Sequence, residues 1–291
     1  MQTKRSKEPL ASTALADAYL RQFPDEAIKD LDEAIKLEAR DIEALSMRAR
    51  LYYTQERYAL AAEDVRRCLQ VVPDLPEAIL LRSLVSAAQN DMSSAIRDME
   101  KILEKNPENF DWQLQLALYY NADERPRKAV ELYTKLVENQ PDSWMARRGR
   151  GDAYLAIGEH GKAVADYEAA FKLQPEHSGL LNNFAWVLAT SPDEEIRDGK
   201  RSVEFGKKAC ELTEYKEAHI LSTLAAGYAE TGDFANAVKW SKKAVELSDE
   251  GVRDQLRKEL ESYEQEKPWR ERQQVKEKEA TKDDSARPVA S

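Results

Sequence analysis

Alanine recurs at one fixed interval in this chain: Ala27, Ala61, Ala95, Ala129 and Ala163 stand 34 residues apart. Pro73, Pro107, Pro141 and Pro175 keep the same step. Two residue types on one period define an array of short units, none of which can bury its apolar face alone. Each unit packs only on its neighbours, so 291 residues need no single closed core. The product of such stacking is a long surface. The period therefore points toward holding another molecule and away from catalysis.

Each period reads as two helices. In 143–175 the first is predicted from about Trp144 to Ile157, broken by Gly158-Glu159-His160-Gly161. The second runs from about Lys162 to Leu173 and is stopped by Pro175. Gly151 and Ala163 are small where the two helices cross, Tyr154 and Tyr167 fill the space between units, and Ala170 lets the next unit approach. Cys68, in the second unit, holds the position that Ala170 fills three units later, which makes it a buried structural thiol. Arg48, Arg82 and Arg150 share one position, with Leu116 in the unit between. They are expected to lay their stems along the packing surface and keep their heads wet. Beyond Pro175 the period slips: Ser202 follows Ala163 by 39 residues, which places five extra residues in 190–200. Leu221, Leu224, Ala225, Tyr228, Gly232, Ala237 and Ala244 form a last unit.

The resulting organisation is an N-terminal segment 1–8 expected to be disordered, then units at 9–40, 41–74, 75–108, 109–142, 143–176, 177–216 and 217–248. A capping helix over 249–267 is built on Val252, Leu256, Leu260 and Tyr263, with a charged opposite face. The charged segment 268–291 is expected to be disordered.

Gly151, Tyr154, Gly158, Ala163, Tyr167, Ala170 and Pro175 sit at the offsets of the tetratricopeptide repeat. The chain resembles that family over roughly residues 10–248. Segments 181–213 and 225–247 look like the closing repeats of bacterial tetratricopeptide proteins, especially those of planctomycete-type bacteria. The resemblance implies an all-α, right-handed α-solenoid of about seven helix-turn-helix units, with first helices lining the concave face. It implies a non-catalytic scaffold or adaptor that binds a peptide or helix on that face. The alternative is a self-associating structural or regulatory subunit of a larger, envelope-associated assembly.

If the family geometry holds, register assigns the candidate groove to Ser46, Arg50, Tyr53, Leu80, Leu84, Ala87, Leu114, Leu118, Asn121, Arg148, Asp152, Leu155, Asn182, Trp186 and Ala189. Its centre is apolar, and Trp186 adds an aromatic anchor. The four leucines either grip a bound segment or pack against neighbouring first helices. The family's carboxylate clamp is incomplete here. Arg148 and Asn183 match two of its positions, but Asp152 stands where Asn is wanted, and His219 and Ser222 replace basic residues. No binding of a chaperone-tail carboxylate is expected.

A net charge of −10 and a pI near 5.1 argue against nucleic acid as a partner, which leaves protein or peptide. No apolar run approaches a membrane span. His160, His177, His219, Cys68 and Cys210 show no metal-ligand spacing, and no phosphate loop or nucleophile motif occurs, so no catalytic residue, metal or cofactor is assigned. The stretch after Lys4, Arg5 and Lys7 is too short and polar for a signal peptide, so the default expectation is cytoplasmic, and periplasmic if the chain is a trimmed form.

Overall fold

A computed structural model describes residues 22–271, and among them it contains 14 α-helices and no strand. In chain order these are α1 (Pro24–Leu37), α2 (Ile42–Thr54), α3 (Tyr58–Val71), α4 (Pro76–Ala88), α5 (Met92–Lys105), α6 (Phe110–Ala122) and α7 (Pro126–Asn139). They continue with α8 (Trp144–Ala156), α9 (His160–Leu173), α10 (Ser178–Thr190), α11 (Gly199–Leu212), α12 (Ala218–Glu230), α13 (Phe234–Leu247) and α14 (Glu250–Glu264). The expected disordered N-terminus and the first helix of the first repeat lie outside the described residues, as does everything after 271. The chain divides into two compact units, with the division at Trp112 inside α6.

The turns inside the hairpins share one backbone solution. Glu56, Asn90, Glu124 and Gly158 follow one another at the 34-residue step, and all have positive φ, as does Gly232 in the last hairpin. Each turn closes with the same bond, seen as Asp91 N–H to Ser86 O (2.8 Å), Arg125 N–H to Tyr120 O (2.8 Å) and Glu159 N–H to Tyr154 O (2.9 Å). This is the left-handed helix ending that satisfies the last carbonyls of the first helix. Several N-termini are capped by side chains, those of Asp41, Asp91, Ser143, Asp198 and Asp233 among them, and three helices begin on Pro24, Pro76 and Pro126.

Small residues sit where the helices meet, as expected. A Cβ on Gly151 would lie 2.7 Å from the Tyr167 ring, and one on Gly149 would lie 2.3 Å from the Tyr133 ring. Cys68 and Cys210 are buried free thiols, and burial pushes the Cys210 thiol up to about 12.

The arginine ladder differs from the expectation of wet heads. Arg48 grips buried Asp64 through two bonds of 2.7 and 2.6 Å, and Arg82 grips Asp98 with the same two distances. Arg150 holds Asp166 at 2.7 and 2.8 Å. In each case the aspartate lies 16 residues on, in the second helix of the same hairpin. A carboxylate inside the hairpin demands a paired cation, and the planar guanidinium supplies two parallel donors. Arg48 also reaches back to Asp32 of α1 at 2.5 Å, so the staple joins consecutive repeats in the first unit.

In the second unit the five extra residues form a fixed loop between α10 and α11. Asp198 N–H bonds Leu188 O at 2.9 Å, and Arg197 pairs with Glu230 of α12 at 2.9 Å. At the C-terminal end α14 packs on α13, burying Leu256, Glu259 and Tyr263, whereas Val252 remains 53% exposed. The expected apolar stripe is thus rotated, and a glutamate stands in it. The first residues of the charged segment expected to be disordered are instead packed on the array. Trp269 packs against the buried cluster that includes Ala189, Ala225 and Tyr263, Arg270 pairs with Glu230 at 2.6 Å, and Glu271 N–H bonds Thr190 O at 2.9 Å. The last carbonyls of α10 have no partner within the helix, and this segment provides one.

Candidate protein-binding site

Within the second unit, first helices α8, α10 and α12 and the final helix α14 enclose an open recess of about 520 Å³. Four residues expected in the groove line it together: Asp152 and Leu155 from α8, and Asn182 and Trp186 from α10. Leu155, Val252 and Leu256 supply apolar wall, and Ser222, Gln255 and Glu259 supply polar groups.

Asp152 is the best-satisfied group of the recess. Its Oδ1 accepts from the Tyr167 hydroxyl at 2.7 Å and from Asn183 Nδ2 at 2.8 Å, and Arg148 Nε stands 3.8 Å from its Oδ2. Burial and the nearby Asp152 charge push the Tyr167 phenol well above its ordinary range, so it stays a donor. Arg148 and Asn183, the two matches to a carboxylate clamp, are both engaged with Asp152. Asn182 donates to Asn183 Oδ1 at 3.1 Å, while its own Oδ1 is buried with no partner. Glu259 is 3% exposed and, among the described residues, accepts only from Ser222 Oγ and from Gln255 Nε2. Burial raises its carboxyl above the usual range, and the two neutral donors only partly offset this. The Trp186 indole bonds the mostly buried Glu271 carboxylate, whose carboxyl is likewise raised by burial.

Residues 13–76 and 114–178 match the tetratricopeptide repeat family. The chain is a tetratricopeptide repeat protein. Among curated relatives, mouse DnaJ homolog subfamily C member 3 is 24% identical over 217 residues, which cover 69% of this chain and 40% of that protein. The chain thus matches less than half the length of this relative. A tetratricopeptide repeat protein of Parabacteroides merdae superposes with a TM-score of 0.63 at 15% identity, covering 86% of this chain and 96% of that one. A chain of the APC/C hetero-tetramer Cut9–Hcn1 gives 0.68 at 10% identity, covering 86% and 48%. These likenesses are of fold.

The remaining groove candidates of this tetratricopeptide repeat protein are spread along the first helices. In the first unit Arg50 is exposed, Tyr53 packs against Tyr58 with ring centroids 5.8 Å apart, and Leu80 and Leu84 are half-buried. In the second unit Leu114 is half-buried, Leu118 is 47% exposed, and Asn121 Nδ2 donates to Gly149 O at 3.2 Å. Ala189 is 1% exposed and so does not face a groove, because α10 is covered there by the docked C-terminal residues. Repeat register could not find Gln255 and Glu259, which lie beyond the last repeat. Their signal was a glutamate at helical spacing from Leu256 and Tyr263. Among the described residues no cluster of side chains could hold a metal ion, and no helix is long and apolar enough to cross a membrane.

Proposed function

We propose that this repeat array is a non-catalytic protein-interaction scaffold that binds a peptide or helix along the face made by its first helices. The family supports the scaffold role. One observation supports the face: Leu118 is the one exposed leucine on the first helix of a hairpin among the described residues. The other exposed leucines, such as Leu60, Leu173, Leu212 and Leu247, lie on second helices. An exposed large apolar side chain on an otherwise packed helix marks a contact site when other anchors, here Trp186, lie on the same helix layer. Helix-in-groove and extended-segment docking both use such anchors. The test compares partner capture from a lysate of the source cell by the wild-type chain and by the Leu84→Glu/Leu118→Glu variant. The expected result is loss of capture with unchanged helicity; undiminished capture rejects the binding face.

A further inference from the structure

Two acceptors of the recess in the second unit are incompletely matched. Asn182 is 9% exposed and lines the recess, yet its Oδ1 has no hydrogen-bond partner. Glu259 lines the same recess at 3% exposure, and among the described residues it has only neutral donors, Ser222 and Gln255. A buried carbonyl oxygen without a donor, and a buried carboxylate without a cation, are each unfavourable in the empty site. Both defects are removed by one kind of occupant, a positively charged group carrying N–H donors. Asp152, by contrast, is already balanced by Arg148, Tyr167 and Asn183 and needs nothing more.

The apolar part of the wall fixes the rest of the occupant. Trp186, Leu155 and Leu256 line the recess beside these acceptors. An aliphatic stem on the indole with a charged head among acceptors is the form of a lysine or arginine side chain. We propose that this recess receives a lysine or arginine side chain of the protein segment bound by the array, with Glu259 as its counter-charge and Asn182 Oδ1 as an acceptor. This rests on the reading of the array as a protein-binding scaffold and adds what it selects: basic segments rather than acidic tails. The net charge of −10 acts in the same direction, drawing basic segments toward the chain.

The test uses the full chain and an array of apolar nonamer peptides whose central residue is Lys, Arg, citrulline, norleucine or Glu, followed by fluorescence anisotropy on the best series. The Lys or Arg peptide is expected to bind at least about tenfold tighter than its norleucine or citrulline counterpart, and the Glu peptide weakest. In Glu259→Gln the preference is expected to fall to near parity, with the circular dichroism spectrum unchanged. Asn182→Ala provides a second variant, expected to weaken the same preference. Equal binding of Lys and norleucine peptides by the wild type, a preference that survives Glu259→Gln, or no binding by any peptide overturns the proposal. Loss of partner capture in Leu84→Glu/Leu118→Glu alongside any of these results leaves the scaffold standing without its basic selectivity. Undiminished capture there rejects the scaffold face itself.

Discussion

Phe184 and Phe205 lie with ring centroids 5.0 Å apart at the two repeat positions that Arg150 and Asp166 fill one unit earlier. The inserted loop adds five residues between the phenylalanines, yet the positions still meet. Leu116 and Leu132 hold the same two positions in the preceding unit. The site therefore accepts a charged pair, an aliphatic pair or an aromatic pair, and its two members change together.

That relationship makes the charged staple breakable but replaceable. Asp166 is 5% exposed at its side chain and Arg150 16%. Asp166→Ala strands the guanidinium and is expected to lower stability by roughly 3 kcal/mol. The double change Arg150→Leu/Asp166→Leu is expected to recover most of the loss, as an apolar pair already serves one unit away. Urea unfolding of the wild type and the two variants checks the order.

The hairpin turns carry a second expectation. Glu124 adopts φ 55° where Gly158 adopts 86° in the next repeat. A side chain in the left-handed region is strained by about 1–2 kcal/mol, partly offset by the entropy glycine loses on folding. Glu124→Gly is expected to raise the melting temperature, and Gly158→Ala to lower it, at a stability cost of about 1 kcal/mol.

Gly149 lies in mid-helix, where alanine would normally be favoured by about 1 kcal/mol. Here the added methyl carbon would stand 2.3 Å from the buried Tyr133 ring. Gly149→Ala is therefore expected to destabilise by roughly 1–2 kcal/mol, overpacking winning over propensity. Thermal unfolding reads the sign directly.

Glu259 gives a pH dependence. Burial holds its folded carboxyl above the unfolded value of about 4.3. Between those two values the folded state keeps the proton longer, so stability falls as pH rises. Glu259→Gln removes that loss. Its melting temperature is expected to exceed that of the wild type at neutral pH, with the gap closing as pH drops below about 4. A gap that widens on acidification would contradict the assignment.

Much of the fold was legible because the ladder reports where small residues, turns and stops must fall. Ala163, Gly158 and Gly151 each do in the structure what their spacing requires. The same register brought Asp152, Asn182 and Trp186 to one recess. The arginine staples are not visible along any one helix, because each joins two. Asp64, Asp98 and Asp166 follow the same period as Arg48, Arg82 and Arg150, and pairing the two series would have shown the contact. Glu259 was hidden for a different reason. A single terminal helix has no second copy against which a misplaced polar residue stands out.

The staples also bear on how such an array can change length. Unequal crossing-over whose break falls between the members of a pair would join Arg82 of one hairpin to Leu132 of another, or Leu116 to Asp166, leaving a charge unanswered inside the hairpin. A break in the connection between hairpins carries each pair across intact. Lineages of this chain should therefore gain and lose repeats with their joints outside the 16-residue span of the staple.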